Sequence, residues 1–365
     1  MGTQDRIKGE NLRTLLETLR SSPAVSRADL SRSTGLRPST VTNLVRELSR
    51  QGWVLERGRG TPGAGGGKPS RLLSLDPGRG RYISFFWTSR ELTGVLVDCT
   101  GRVVSSARRG CAPEVPGSSG AQSPSGEEFS SLLAGLAREL QKGSPGGSSS
   151  GAGESRAVPI LGAALAVASV VTPEGNVRAS ADFPHDLENL PRLLRQALAD
   201  SLARGDLARE TVQLLPVVVE NDANCIAFNA WRKTRLQEEV LLALVFTEDP
   251  PSVGAGMVMG GRVWRGARGS AGELLPPSPG HTPEELDMAA ATAVRFSDPS
   301  RVVISVPDSA SPEGLRGELR ETRRALDDSG ITVETVLHRQ AALLGAAHLV
   351  YEDSLDTILA GEGMK

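Results

Sequence analysis

Aromatic residues make up only 4% of the 365-residue chain, and lysine occurs at just five positions, 8, 68, 142, 233 and 365. The first scarcity leaves any core to Leu, Val and Ala. The second makes nearly every cation an arginine, whose planar fork suits phosphate and guanine. Cysteine is rare too: Cys99, Cys111 and Cys225 are scattered and odd in number. That excludes a disulfide framework and a Cys-rich metal site, and fits reduced thiols in a cytoplasmic protein. No apolar run approaches the ~20 residues of a membrane helix. The polar stretch Met1–Glu10 lacks a signal-peptide core. A cytoplasmic location without a membrane partner is therefore expected.

What is present is unevenly spread. The formal net charge is −2, yet residues 1–80 hold 14 Lys+Arg against 7 Asp+Glu, and the remainder 27 against 36. A basic head on an acidic body implies a polyanionic partner for the head alone.

The chain divides by composition. Residues 5–57 carry apolar positions at helical spacing. Residues 58–67 read GRGTPGAGGG, a loop tip. Residues 143–153 read GSPGGSSSGAG and cannot pack a core, so 143–156 is expected to be a disordered insertion. Elsewhere strands and helices alternate as in a layered α/β protein. The expected domains are 1–78, 79–220 and a shortened 221–365.

Residues 11–50 carry the strongest signal. A first helix, Glu10–Arg20, buries Leu12, Leu15, Leu16 and Leu19. Ser26 and Asp29 form a capping box for a short helix, Arg27–Ser33. Gly35 supplies the left-handed turn. Pro38 opens a third helix to Arg50, with Val41, Leu44, Val45 and Leu48 inward. Ser39, Thr40, Thr42, Asn43 and Arg46 are left outward, a short polar set at the end of a recognition helix that meets base edges and phosphates. Trp53–Glu56 and Arg71–Leu75 form a two-stranded wing decorated by Arg57, Arg59, Lys68 and Arg71. The expectation is a winged helix-turn-helix that binds double-stranded DNA through Arg37, Ser39, Thr40, Thr42, Asn43, Arg46, Lys68 and Arg71.

In the body, Tyr82–Trp87, Leu92–Asp98 and Val103–Arg108 are expected to form an antiparallel meander. Glu127–Gln141 follows as a helix, Ile160–Val167 as a strand, Leu187–Arg204 as a helix and Pro216–Glu220 as a strand. Asn224–Thr234 is a helix and Val240–Thr247 a strand. Ala255–Met259 and Arg262–Trp264 make a hairpin. Helices Pro283–Ser297, Pro312–Asp328 and Thr335–Glu352 and a strand Arg301–Val306 complete the chain.

Several runs resemble ROK-family transcriptional repressors over about residues 7–355. They are Ser26–Asp29, Thr34-Gly35-Leu36 and Gly67-Lys68-Pro69 in the head. In the body they are Glu220-Asn221-Asp222-Ala223-Asn224, Gly254-Ala255-Gly256, Gly260-Gly261-Arg262, Ala271-Gly272-Glu273 and Leu344-Gly345-Ala346-Ala347. The resemblance implies an actin-like ATPase, sugar-kinase-like body behind the winged helix, acting on the nucleoid under control of a small sugar. It assigns sugar contacts to Asn221, Asp222 and Glu273, with Asp222 at the place of the kinases' general base. The Asn221-Asp222 pair also suits plain capping of the next helix.

The departures are consistent. Phe86 stands where the kinases' phosphate loop has Asp, and Pro250-Pro251-Ser252-Val253-Gly254-Ala255-Gly256 replaces the second glycine loop. The zinc-ligating His and Cys run of the family is missing after Glu273, and only 27 residues, 274–300, precede the next strand. A regulator without kinase activity, cofactor or metal, acting as a homodimer, is expected. A working sugar kinase with a regulatory head, or a DNA-binding dimer without ligand, are the alternatives.

Overall fold

The computed structural model describes residues 3–360 apart from 23, 61–68, 89–90, 111–123, 144–157, 179–188, 203–211, 213, 235–239, 249, 309–318 and 329. The expected disordered insertion lies almost wholly outside these, as do Lys68 and Cys111.

The head contains α1 (Thr3–Arg20), β1 (Val25–Ser26), α2 (Arg27–Thr34), α3 (Pro38–Arg50), β2 (Val54–Arg59) and β3 (Arg71–Leu75). Its local signals act as expected. The Ser26 hydroxyl accepts from the Asp29 amide and the Asp29 carboxylate accepts from the Ser26 amide, at 3.2 and 3.1 Å. Gly35 sits at φ 69°, and Pro38 opens α3. Two expectations are corrected. The first helix begins at Thr3 rather than Glu10, because its polar early turns extend a helix already nucleated downstream. The wing has three strands, since Val25–Ser26 pair antiparallel with Leu73 and Leu72. Two residues are too few to leave a periodic signal.

The body repeats one design. Its first sheet holds β4 (Arg81–Trp87), β5 (Glu91–Asp98), β6 (Val103–Gly110), β7 (Ile160–Val167) and β8 (Val217–Asn221), in the order β6-β5-β4-β7-β8. The second holds β9 (Leu241–Glu248), β10 (Pro251–Met259), β11 (Arg262–Val263), β13 (Arg301–Val306) and β14 (Thr332–Leu337), in the order β11-β10-β9-β13-β14, with β12 (Glu273–Leu275) beside β10. Each is an antiparallel meander followed by two parallel strands. This doubled topology is the actin-like fold.

Helices α4 (Gly126–Lys142) and α5 (Leu190–Leu202) cover one face of the first sheet, and α7 (Pro283–Ser297) and α8 (Arg320–Asp327) the outer face of the second. Between the sheets lie α6 (Asp222–Thr234) and α9 (His338–Ala360). Sheets covered on both faces need near-continuous apolar strands, and Tyr82–Trp87 and Leu241–Phe246 are of that kind.

Four body expectations are corrected. Thr335–Leu337 is not helical: it ends β14, which runs parallel to β13 from Arg301↔Thr332 to Val306↔Leu337. Its β-branched residues gain ladder bonds that a helix cannot offer beside β13. Strand β10 begins at Pro251, not Ala255, because Pro251–Val258 pair residue by residue with Glu248–Leu241. Helix α6 starts at Asp222, two residues early, and α5 starts at Leu190 rather than Leu187, since Asn189 at φ 62° is not helical; residues 203–204 of the expected helix lie outside the described residues. The expected helix over 312–328 is described only from Arg320.

Head and body share a core. Leu12, Leu16, Leu19, Trp53 and Leu75 join one apolar cluster with Tyr82, Cys99, Val350 and Tyr351. Its polar edge is α1 against α9. Arg13 Nη1 lies 3.2 Å from Glu352 Oε2, and Arg232 Nη1 lies 2.9 Å from Glu352 Oε1. The Arg20 guanidinium is buried over the Tyr351 ring at 3.9 Å, without a hydrogen-bond partner among the described residues. Burial first, and then the Glu352 carboxylate, push Glu17 up to about 7, only partly offset by Arg232 and Arg13. In the unfolded chain Glu17 titrates at its ordinary 4.5. Its contribution to stability is therefore complete below pH 4.5 and lost as pH rises through 7. The expected loss across that window is on the order of 3 kcal/mol. Thermal melts between pH 5 and about 8 should show this slope in the wild type. The slope should flatten in Glu17→Gln; an unchanged slope would refute the assignment.

Candidate functional site

Two surfaces carry the expected functional residues. On the head, Arg37, Ser39, Asn43 and Arg46 are exposed and Thr40 and Thr42 half-buried, all along α3. Leu44, Val45 and Leu48, buried on the opposite side, hold the helix in place. The outward set is partly pre-ordered: Arg46 Nη1 donates to Asn43 Oδ1 at 3.2 Å, and the Thr42 hydroxyl donates to the Pro38 carbonyl at 2.8 Å. In the wing, Arg71 is exposed and paired with Glu56, which Arg27 also reaches at 3.4 Å. Arg71 first, through its hydrogen bond, holds the Glu56 carboxyl below its ordinary range.

In the body the structure brings Asn221, Asp222 and Glu273 to one place. Asn221 ends β8, Asp222 opens α6, and Glu273 starts β12 across β10. Glu273 is raised above its ordinary value by partial burial and then by the Asp222 carboxylate. The capping reading also holds, since the Asn224 amide donates to Asn221 Oδ1 at 3.2 Å. Asn221 Nδ2 donates to the Ser169 carbonyl at 3.1 Å. Beneath them Glu220, almost fully buried, accepts from Arg265 Nε at 2.6 Å and from Asn224 Nδ2 at 2.9 Å. This pair fixes the start of α6. Gly256 lets β10 pass against α6, because a Cβ there would fall 2.0 Å from the Ala223 carbonyl oxygen.

Sequence reasoning missed one member. His338 opens α9, and its Nε2 lies 2.9 Å from Asp222 Oδ2. An ionised carboxylate only accepts, so Nε2 carries the proton. The other carboxylate oxygen, Oδ1, accepts from the Ala223 amide at 2.8 Å. The imidazole packs beside Phe86, ring centroids 5.4 Å apart. Reading 335–337 as helix hid His338, which stands at the strand-to-helix turn, a common place for functional side chains. His281, by contrast, faces the Pro276 carbonyl at 2.9 Å and Glu285 at 3.9 Å. Among the described residues no group of three or more His, Cys, Asp or Glu is placed to hold a metal ion. No helix among them is long and apolar enough to cross a membrane.

A three-stranded winged helix-turn-helix fused to a doubled actin-like fold is a two-part architecture, and comparison with known proteins matches both parts. Residues 10–58 match the IclR helix-turn-helix domain and residues 206–291 the ROK family. It is 23% identical over 354 residues to a putative xylose repressor of Caldicellulosiruptor sp. (strain Rt8B.4), covering 95% of this chain and 78% of that protein. With the xylose repressor of Staphylococcus xylosus it shares 24% identity, over 73% of this chain and 60% of that protein. The chain thus spans less than two thirds of this second relative. The fold is shared with a ROK family transcriptional regulator, a homolog of E. coli MLC protein, at TM-score 0.64 and 16% identity, covering 97% and 98% of the two chains. It is shared also with a ROK family glucokinase from Streptomyces griseus, at TM-score 0.50 and 18% identity, covering 74% of this chain and 99% of that one.

Proposed function

We propose that the chain is a sugar-responsive transcriptional repressor. Its head binds duplex DNA through Arg37, Ser39, Thr40, Thr42, Asn43, Arg46, Lys68 and Arg71, and its body binds a small sugar through Asn221, Asp222 and Glu273. The observation that carries the reading is that β10 passes directly against the start of α6 at Gly256 and pairs with Glu273 at Gly254, which brings Glu273 near Asp222, in a body whose core is continuous with that of the helix-turn-helix. The relatives' names suggest xylose as the first sugar to try. The domains are taken as 1–78, 79–220 and 221–365, and the acting form as a homodimer in the cytoplasm on a two-fold operator. Two linked heads gain effective concentration over one.

The reading excludes phosphoryl transfer. Phe86, at the position where the resemblance puts the kinases' metal-proximal carboxylate, is buried, and Ser252–Gly256 pair with β9 as a strand rather than forming an open loop of free amides. In titration calorimetry, D-xylose should bind the wild type and not Asp222→Ala. The same sugar should release the protein from its operator, and incubation with ATP should yield no sugar phosphate. No binding of D-xylose or of other aldoses, or turnover abolished by Asp222→Asn, would overturn this.

A further inference from the structure

The two helices between the sheets are tied together at both ends. Asp222 opens α6 and His338 opens α9, and their side chains meet at 2.9 Å. Near the far end Arg232 of α6 and Glu352 of α9 meet at 2.9 Å, and Glu352 also holds Arg13 of the head at 3.2 Å. The helices therefore run parallel. At 1.5 Å per residue the paired ends stand roughly 15 Å apart along α6 and roughly 21 Å apart along α9. Between them Gly345 of α9 lies directly on α6: a Cβ there would fall 1.8 Å from the Cys225 carbonyl oxygen. Contact this close leaves no slack to absorb a displacement locally, so a shift at one end moves the helices as rods.

The near end is a place where a ligand and α9 compete. Of the two Asp222 carboxylate oxygens, Oδ1 is taken by the Ala223 amide and Oδ2 by His338. A hydroxyl donating to Oδ2 must share or displace the imidazole. Phe86 packs on that ring, and Ser84 two residues earlier on β4 donates to the Leu343 carbonyl of α9 at 2.7 Å. The imidazole thus yields by moving the start of α9. At the far end, Glu352 sits between a body arginine and a head arginine and beside Glu17 of α1.

We propose that His338 is a positioning residue that reports the occupancy of Asp222 to the head, with α6 and α9 as the connecting pair and Glu352 as the contact that receives the signal. The inference rests on the reading of Asp222 as a sugar contact. The wiring itself can be tested without sugar.

Hydrogen exchange on the full chain, with no ligand added, provides that test. In His338→Ala, amides of α1 from Leu12 to Leu19 should exchange at least about fivefold faster. His338→Gln, whose amide can still donate to Asp222, should restore the wild-type rates. Glu352→Gln should loosen the same α1 amides and also speed exchange at 222–226 and 338–342. The double variant His338→Ala/Glu352→Gln should exceed neither single variant at α1. Faster exchange confined to 222–226 and 338–345 in His338→Ala, with α1 unchanged, would overturn the coupling. If His338→Ala does not fold, unchanged rates at 222–226 and 338–342 in Glu352→Gln would overturn it equally. Failure of D-xylose and of the other aldoses to bind the wild type would instead refute the effector reading, and the exchange rates would still decide the coupling.

Discussion

Replacing Thr40, Asn43 and Arg46 together by alanine should lower affinity for the operator by ~100-fold or more, with the fold intact. Each well-placed contact from a recognition helix to a base edge or phosphate is worth ~1–3 kcal/mol, so three lost together multiply to at least that factor. Stability should barely change, because Val41, Leu44, Val45 and Leu48, which carry the packing of α3, are untouched. Arg46 and Asn43 are exposed and bonded to each other, so their removal leaves no buried group unsatisfied. If Arg46 reads a base, Arg46→Ala alone should cost more on the operator than on random duplex; if it holds phosphate, the two losses should match. Gel shifts at fixed salt measure both, and footprints on the operator should span two half-sites. Wild-type affinity in the triple variant, with an unchanged melting curve, would refute the docking of α3.

The second large effect is expected from one methyl group. In Gly345→Ala the new Cβ would lie 1.8 Å from the Cys225 carbonyl oxygen and 2.4 Å from its carbon. Both neighbours are backbone of α6, so no rotamer change relieves the clash and the two helices must separate. Overpacking a core costs ~1–3 kcal/mol where side chains can adjust, and more where they cannot, so about 4 kcal/mol is expected here. For a chain of this size that lowers Tm by roughly 5 °C. Calorimetric scans of the full chain measure it. Because α6 and α9 carry both the Asp222–His338 and the Arg232–Glu352 pairs, the separation should also weaken sugar binding. A Tm within about 2 °C of the wild type would show that the helices yield more easily than their contact implies.

The head was legible from sequence because its signals are local. Ser26 caps through Asp29 three residues on, Gly35 takes a backbone angle that few other residues accept, and Pro38 pre-sets the first turn of α3. The inward and outward faces of α3 follow from a 3.6-residue period. None of this needs a distant partner. The meander β4–β5–β6 was legible for the same reason, being joined by short turns.

What the sequence by itself determined is therefore a helix-turn-helix head with the polar face of α3 as its candidate DNA contact and a layered body with Asn221, Asp222 and Glu273 as its candidate contacts. Only the tertiary structure decided the rest. Thr332–Leu337 is a strand because β13 offers it a parallel ladder, and that partner lies outside any local window. His338 belongs to the site because its partner, Asp222, stands 116 residues earlier in the chain. Glu352 ties body to head because Arg13 is 339 residues away. Local conformation is set by short-range sterics and hydrogen bonds that sequence spacing displays. A contact between distant segments is set by how whole layers pack, and no spacing in the sequence records it.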